Sequence, residues 1–262
     1  MTNEPVLSMR NIKKVFSMPD EHDKLQVLQG ISLDVAKGEF VCILGYSGCG
    51  KSTLLRIASR LEQQDEGEIL LNGKPYLTPS KEVLMLFQDF NQLFPWMTVL
   101  KNVMYPLKHI KNDYSKAEII EKAESIIDLV GLSKFKNSYP HELSGGMKQR
   151  IAVARALVVQ PQVLLMDEPF AALDATTRAN LQELTKRMCA ENDVSVLFVT
   201  HNVEEAILLG DRIVIMNNQT GKIEQILENK MRGNRSKQEM DSFVGEVIEI
   251  LNEQQKSVSL VS

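Results

Sequence analysis

The sequence predicts an α/β protein, and three observations lead to that fold class. Residues 40–44 form a short apolar run rich in β-forming residues, which is followed by a glycine-rich loop and then by helical apolar spacing. Residues 163–166 and 195–199 are further apolar runs with the length of buried strands. Helical periodicity takes over between residues 98 and 132. Strands that alternate with helical segments in this way favour a parallel sheet covered by helices.

The glycine-rich loop carries the most specific motif. Residues 45–53 read GYSGCGKST and satisfy every fixed position of the phosphate-binding P-loop pattern GxxxxGK[ST]. We expect Gly45, Gly48 and Gly50 to adopt positive φ, so that successive backbone N–H groups converge on phosphates at the start of the next helix. The alternative is a glycine-rich turn with a chance lysine, which the flanking strand and helix disfavour.

The P-loop side chains have separate expected roles. Lys51 reaches the β- and γ-phosphates, Ser52 offers its hydroxyl to Mg²⁺, and Thr53 contacts the α-phosphate. Cys49 is close in sequence to Lys51 and to a helix N-terminus, which both favour a thiolate, so we expect a reactive thiol whose modification blocks ATP binding. The predicted nucleotide-binding residues of the loop are Gly45, Tyr46, Ser47, Gly48, Cys49, Gly50, Lys51, Ser52 and Thr53.

Composition limits the function classes. The 262 residues are 44% hydrophobic and 24% charged, which is ordinary for a soluble globular protein, and the net charge of −4 gives no general attraction to nucleic acid. No run of eighteen apolar residues occurs and the first ten residues lack the apolar core of a secretory signal, so we expect the chain to stay in the cytosol. Three cysteines and four histidines show no spacing for disulfides or a structural zinc site.

Two adjacent carboxylates, Asp167 and Glu168, follow the apolar run at residues 163–166. Neighbouring residues at a strand end point in different directions, so the two groups can have different tasks. We expect Asp167 to hold Mg²⁺ through water, and Glu168 to face the γ-phosphate and polarise an attacking water. The alternative, a buried structural Asp-Glu pair, is disfavoured in a chain that also has a P-loop.

Residues 143–150 read LSGGMKQR, and Ser-Gly-Gly at a helix start is a second anion-binding device in the same chain. This segment resembles the signature motif of ATP-binding cassette (ABC) ATPases, the nucleotide-binding subunits of ABC transporters. The resemblance spans about residues 6–230 and implies a head-to-tail dimer. In that dimer Ser144, Gly145 and Gly146 of one subunit bind the γ-phosphate held by the P-loop of the other, with Gln149 nearby.

Four further positions match elements of that family. Gln88 matches the Q-loop glutamine, which the resemblance assigns to sensing Mg²⁺ and the attacking water. Residues 172–174 resemble the D-loop, which passes between active sites and ends here in Asp174. His201 matches the switch histidine that contacts the γ-phosphate. Phe16 occupies the place of the aromatic residue that stacks on adenine. Taken singly, His201 and Phe16 would more often be structural, and the surrounding motifs reverse that interpretation.

The patterns and the resemblance together define the expected architecture. It is a P-loop NTPase (RecA-like) core with an antiparallel β-subdomain and an inserted α-helical subdomain. Short alternating runs at residues 6–35 and a strand at residues 67–71 with an Asn-Gly turn predict the antiparallel part. We expect the ATPase domain at residues 1–232, with the helical subdomain at about 90–158.

The tail, residues 233–262, contains a predicted amphipathic helix. Its apolar stripe consists of Met240, Phe243, Val244, Val247, Ile248 and Leu251. Packing of this stripe on the chain's own domain is the favoured interpretation, and a surface for a partner is the alternative.

Residues 91–103 follow the Q-loop in the region where ABC ATPases receive the membrane protein. Leu93, Phe94 and Trp96 are apolar residues on a loop, which indicates a docking surface, although Trp96 could also belong to the core. The run FPWMTVLKNV is similar to the Pro-Trp segment of importers for nitrate, sulfonates and taurine. The resemblance therefore implies separate permease subunits, an extracytoplasmic substrate-binding protein that acts indirectly, and a location at the cytoplasmic face of the membrane.

The function predicted from the sequence is a transport-coupled ATP hydrolase that uses ATP and Mg²⁺ and works as a homodimer or a paired cassette, without nucleic acid. The competing class is a soluble ABC ATPase that acts on DNA or ribosomes. Such relatives carry a long coiled coil or two cassettes in one chain, and the sequence has neither feature. A small-molecule kinase is a third possibility, but it leaves LSGGMKQR unexplained.

Overall fold

The computed structural model describes residues 4–17, 24–88, 92–110, 114–171, 173–217, 219–231 and 237–259. The chain divides into two compact units, one of residues 1–79 with 195–262 and the other of residues 80–194. No helix in the described part of the chain has the length and hydropathy needed to span a bilayer.

The strands are β1 (Pro5–Ser17), β2 (Lys24–Ala36), β3 (Phe40–Leu44), β4 (Glu66–Leu71), β5 (Lys74–Pro75), β6 (Val83–Leu86), β7 (Val163–Asp167), β8 (Ser195–Thr200), β9 (Arg212–Met216) and β10 (Ile223–Glu228). The helices are α1 (Lys51–Ala58), α2 (Val99–His109), α3 (Lys116–Leu129), α4 (Gly145–Leu157), α5 (Ala175–Glu191), α6 (Val203–Leu209) and α7 (Lys237–Ser259).

The first unit contains the predicted antiparallel sheet, with strand order β2-β1-β4-β5. In β2, Ile31, Leu33 and Val35 are buried while Ser32 and Asp34 are exposed, because one face of an antiparallel sheet packs on the core and the other meets solvent. Residues 6–9 of β1 are buried without interruption. The β4–β5 hairpin turns at Asn72 and Gly73, whose φ angles are 50° and 73°. Two consecutive positive φ angles are what a type I′ hairpin turn requires, so the predicted Asn-Gly turn is confirmed.

The first unit also contains parallel strands. β3 lies between β8 and β9 and is parallel to both, and β10 runs antiparallel to β9. Every residue of β3 and β8 is buried, as expected for parallel strands with both faces covered. Helix α6 packs against β3, and α1 packs against β8. The predicted strand, loop and helix around the glycine-rich motif are therefore confirmed.

The second unit combines a parallel pair, β6 and β7, with four helices. Helix α2 packs against α3 and α4, and α4 packs against α5 and β6. This unit is larger than the helical subdomain predicted at residues 90–158, since it includes both strands and α5. Strand β6 ends at Leu86, and the next residue, Phe87, is exposed.

Helix α7 packs against α6 in the first unit. Phe243, Val247 and Leu251, spaced four residues apart, are buried on one face of the helix. Ile248 is 41% exposed, because one residue along a helix turns the side chain by about 100° away from its neighbour. The favoured interpretation of the tail, packing on its own unit, is confirmed for these three residues, whereas Met240 and Val244 are half-buried.

Neighbouring positions of α7 give a direct test of this packing. We expect Val247→Ala to lower the stability of the chain by about 1–3 kcal/mol, because it removes buried methyl groups and leaves a cavity. Ile248→Ala, at an exposed position of the same helix, should change stability by less than about 1 kcal/mol. Urea unfolding monitored by circular dichroism measures both, and equal effects would contradict the packing.

Candidate nucleotide-binding site

The P-loop connects β3 to α1 through a glycine-rich turn. Gly48 and Gly50 have φ angles of 86° and 96°, so the predicted left-handed backbone is confirmed at both positions. Gly50 is the N-cap of α1, and no side chain caps the helix there. The N–H groups of the first helical turn precede the intrahelical ladder and carry the positive end of the helix dipole. This end of α1 is suited to an anion.

Gly45 differs from the expectation, since its φ is not positive. Glycine is required at position 45 because there is no space for a side chain. A Cβ there would lie 2.9 Å from Cys49 Sγ and 3.1 Å from the Met216 carbonyl oxygen. Gly50 is equally crowded, because its Cβ would lie 2.8 Å from Leu28 Cδ2. The loop is thus packed directly on residues of β2 and β9.

Lys51 is only 5% exposed, and its ammonium lies inside the loop. Its Nζ donates hydrogen bonds of 2.8 Å to the carbonyl oxygens of Gly45 and Tyr46. These carbonyls satisfy a cation at the centre of the loop, where the phosphates are predicted. A phosphate would replace the two carbonyls as hydrogen-bond acceptors. Ser47 and Ser52 are exposed at the same loop.

Cys49 does not have the environment expected of a reactive thiol. Its side chain is 2% exposed, and its Sγ lies 3.9 Å from Lys51 Nζ. Burial raises the pKa of the Cys49 thiol, and the opposing effect of the Lys51 charge is smaller. The predicted thiolate is therefore wrong, because the sequence shows the nearby positive charge but not the loss of solvent.

Phe16 lies near the end of β1, with its ring 37% exposed and the Lys14 Nζ 5.0 Å from the ring centroid. It pairs with Leu25 of β2, only a few residues from Leu28, which crowds Gly50 of the P-loop. The hairpin that carries Phe16 is therefore packed against the loop. The contact of Phe16 with adenine remains a prediction.

His201 is exposed directly after β8. Three of its neighbours form a closed set of hydrogen bonds that sequence reasoning missed. The Thr200 hydroxyl donates to the Glu205 carboxylate, the Asn202 N–H donates to the Thr200 hydroxyl, and the Glu205 N–H donates to Asn202 Oδ1. An Asn followed three residues later by Glu is a helix-start pattern that could have indicated this arrangement.

The two carboxylates of the second unit differ in burial and in backbone conformation. Asp167 is the last residue of the strand and is 8% exposed, whereas Glu168 is half-buried and has a φ of 43°. A left-handed backbone is unfavourable for a residue with a Cβ, and such residues concentrate at functional sites. The sharp turn after Asp167 supports the predicted division of labour between the two groups.

Ser144 is the N-cap of α4, and its Oγ accepts a 3.3 Å hydrogen bond from the Met147 N–H. Ser144 and Gly145 are exposed, with no atom near the Cβ position of Gly145 among the described residues. Gly146 is buried, and a Cβ at this position would collide with the Thr177 methyl group on α5. The close approach of α5 therefore requires glycine here. The predicted Ser-Gly-Gly helix start is confirmed, and its second glycine is explained by packing.

Thr177 joins the signature segment to the predicted D-loop. Its methyl group faces Gly146, and its N–H donates a 3.0 Å hydrogen bond to Asp174 Oδ1, which caps α5. This bond lowers the pKa of the exposed Asp174 carboxyl. Residue 172 of the D-loop lies outside the described residues. No pattern in the sequence indicates Thr177, because the contact joins two helices that are separate along the chain.

Gln149 is a buried polar residue of α4. Its side chain is fully buried in α4, and within the described residues neither amide atom has a hydrogen-bond partner. This burial does not support the predicted place beside the γ-phosphate. Gln88 is exposed just after β6, as the resemblance requires.

The predicted docking loop presents one aromatic residue to solvent. Trp96 is 69% exposed, so the core interpretation of Trp96 is wrong, while Leu93 is buried at 4% and does not belong to the surface. The Phe94 ring lies 5.5 Å from Trp96 and 4.6 Å from Tyr105, measured between ring centroids. The Arg155 guanidinium lies 5.3 Å from the Phe94 centroid. Residue 91 lies outside the described residues.

Asn102 holds this loop in shape. It is fully buried, and its Oδ1 accepts a 2.8 Å hydrogen bond from the Phe94 N–H. Its Nδ2 lies 3.1 Å from the Phe94 carbonyl oxygen, 3.0 Å from that of Met97 and 3.2 Å from that of Thr98. One side-chain amide thus satisfies the backbone on both sides of Trp96.

The predicted site residues are divided between the two units. The first unit holds the P-loop residues 45–53 with Phe16 and His201, and the second holds Gln88, residues 144–149, Asp167, Glu168 and Asp174.

The thiol of Cys49 provides a test with a definite pH dependence. Because its pKa is raised, the thiolate is scarce at neutral pH, and the rate of alkylation should increase about tenfold between pH 7 and pH 8. Burial should also make the rate at least about tenfold lower than that of glutathione. Site-resolved mass spectrometry after iodoacetamide treatment measures the rate, and labelling as fast as glutathione at pH 7 would contradict the burial.

Known proteins resemble this chain over most of its length. Residues 28–171 match the family described as ABC transporter. The aliphatic sulfonates import ATP-binding protein SsuB of Bacillus cereus is 45% identical over 231 residues, which cover 88% of this chain and 89% of the relative. The nitrate import ATP-binding protein NrtC of Synechococcus elongatus is 43% identical over 89% of this chain, which spans only 35% of NrtC.

A solved structure shows the same fold. It is the dimeric structure of a post-hydrolysis state of the ATP-binding cassette MJ0796 bound to ADP and Pi, with a TM-score of 0.75 and 32% identity. The match covers 87% of this chain and 100% of that cassette. A family match over more than half of the sequence and close relatives over most of it lead to one conclusion: the chain belongs to the ABC transporter family, as an ATP-binding cassette ATPase.

Proposed function

We propose that this chain is the ATP-hydrolysing subunit of an ABC importer, which energises uptake of a small solute through separate permease subunits. The observation that carries the proposal is a second exposed anion-binding helix start, at Ser144 and Gly145, in a chain that already has a P-loop. A single nucleotide-binding chain acting alone needs one such device. A non-transport ATPase is disfavoured, since SsuB and NrtC are both import proteins by name.

ATP binding begins in the first unit. The phosphates enter the P-loop, Lys51 exchanges the Gly45 and Tyr46 carbonyls for β- and γ-phosphate oxygens, and α1 contributes the positive end of its dipole. The exposed ring of Phe16 stacks on adenine. Lys51 and the N-terminus of α1 belong to the loop itself, and Phe16 lies on the hairpin whose Leu28 packs against Gly50.

The residues proposed for Mg²⁺ fit a hard cation. Ser52 offers a hydroxyl, Gln88 an amide oxygen and Asp167 a carboxylate, and each of these is an oxygen donor of the kind that Mg²⁺ prefers. Asp167 acts through water, and the nucleotide phosphates complete the ligand set. When bound, the cation neutralises charge on the β- and γ-phosphates.

Hydrolysis requires an oriented water and a stabilised γ-phosphate. Glu168, directed away from β7 by its left-handed backbone, orients the water for in-line attack. Lys51 and His201 of one subunit, with Ser144 of the other, stabilise the developing charge. ATP would therefore hold two cassettes together, and the exposed Asp174 would lie between their active sites.

The permease binds the second unit at the exposed Trp96. A large aromatic side chain on an ordered loop is typical of an interface anchor. The chain would then lie at the cytoplasmic face of the membrane, with a substrate-binding protein delivering cargo from the other side. Sulfonates and nitrate, named for two relatives, are small oxyanions, so we propose a small oxyanion or a related sulfonate such as taurine as cargo.

Replacing Glu168 with Gln tests the hydrolytic step. We expect the ATPase rate to fall at least about 100-fold, because a neutral amide cannot polarise the attacking water. ATP binding should be preserved, and the dimer should accumulate in size-exclusion chromatography with ATP. Glu183→Gln, at an exposed position of the same unit, is the control and should behave as wild type. Normal turnover by the Glu168 variant would remove that residue from its proposed role.

Replacing Trp96 with Ala tests the docking surface. Loss of an aromatic anchor should weaken binding to the cognate permease by at least about tenfold, while the ATPase rate of the isolated subunit stays within twofold of wild type. Leu129→Ala removes another half-exposed apolar side chain of the same unit and should bind normally. Co-purification with the permease, titrated by biolayer interferometry, measures both variants. Equal affinities for the two variants would place the interface elsewhere.

A further inference from the structure

The segment that carries His201 is short and tightly constrained. Thr200 ends β8 and is 2% exposed, His201 is exposed, and Asn202 is the N-cap of α6. One exposed residue thus stands between a buried strand end and a helix start. Its backbone direction is set by these two neighbours.

Three hydrogen bonds join Thr200, Asn202 and Glu205 in a closed ring next to His201. The Thr200 hydroxyl donates to the carboxylate of Glu205, and the Asn202 N–H donates to the same hydroxyl at 3.0 Å. The Glu205 N–H donates to Asn202 Oδ1 at 3.0 Å. The ring therefore passes from Thr200 to Glu205 to Asn202 and back, and its members Thr200 and Asn202 are the residues that flank His201 in the chain.

The Thr200 hydroxyl is the central group of this ring, because it donates one hydrogen bond and accepts another. A serine at this position can still donate and accept, whereas a valine has nearly the shape of threonine but can neither donate nor accept. Glu205 is 8% exposed, so loss of its hydroxyl donor leaves a buried carboxylate with one bond fewer.

Capping of α6 accounts for only one of the three bonds, that between the Glu205 N–H and Asn202 Oδ1. The other two bonds both use the Thr200 hydroxyl, which ties the Asn202 N–H, in the peptide unit that follows His201, to the buried end of β8 and to Glu205. The backbone next to His201 is therefore constrained by more than the cap of α6.

We infer that Thr200, Asn202 and Glu205 are positioning residues that hold His201 in the orientation needed at the γ-phosphate. The inference rests on the proposed function of His201. It adds three residues that act through His201 rather than on the nucleotide. A displacement of about 1 Å at a catalytic group can cost about 100-fold in rate, so a loosened ring should affect turnover and leave ATP binding nearly unchanged.

The experiment compares Thr200→Val with Thr200→Ser, each in the wild-type chain and in the His201→Ala chain. In the wild-type chain we expect Thr200→Val to lower kcat at least about tenfold with the KM for ATP within twofold, and Thr200→Ser to keep kcat within about threefold. In the His201→Ala chain, Thr200→Val should cause no further loss, because residues that act as a unit are not additive.

Asn202 provides a second route that does not disturb a buried position. Asn202→Ala breaks the ring at a half-buried residue, and Asn202→Asp keeps the capping oxygen. The alanine variant should lower kcat only when His201 is present, and the aspartate variant should restore it. This pair decides the question if Thr200→Val fails to fold.

The outcomes distinguish the positioning inference from the proposed role of His201 in hydrolysis. If Thr200→Val and Asn202→Ala reduce kcat equally with and without His201, or not at all, the positioning inference is wrong. If His201→Ala itself turns over at the wild-type rate, the proposed role of His201 is wrong, and this result is visible without any ring variant. Loss of kcat in the ring variants only when His201 is present supports both.

Discussion

The P-loop is packed against the core of the first unit with so little space that two of its positions admit only glycine. Side chains at Gly45 and Gly50 would overlap Cys49 Sγ and Leu28. The loop shape is therefore a consequence of core packing, since interiors have almost no free volume to absorb an added carbon. Because the shape is imposed by the core, the backbone N–H groups keep their direction without a bound phosphate.

The same crowding determines the electrostatics of the loop. Lys51 is nearly buried, and a buried ammonium needs hydrogen-bond acceptors, which the Gly45 and Tyr46 carbonyls provide. Cys49 is equally buried but has no charge to satisfy, and the loss of solvent raises its pKa despite the nearby cation. Exchange of two carbonyls for phosphate oxygens keeps Lys51 satisfied, so ATP can enter without leaving a buried charge unpaired.

Sequence reasoning succeeded where local periodicity or a motif determines the structure, as in β3 with the P-loop and the Asn72 turn. It failed where the outcome depends on contacts between distant segments. Burial of Leu93 could not be separated from exposure of Trp96 by composition, because both are apolar residues of one loop. The Thr177 contact with Gly146 joins two helices, and no single-segment pattern reports it.

Asn102 shows how a buried polar residue can serve a surface. An amide inside a core costs free energy unless all its hydrogen bonds are made, and this one saturates backbone groups at Phe94, Met97 and Thr98. The loop between them is thereby ordered while Trp96 remains in solvent. A partner that binds a preordered loop does not have to supply the entropy cost of ordering it. Because Asn102 orders the backbone on both sides of Trp96, a contact made through this residue carries a smaller entropy cost.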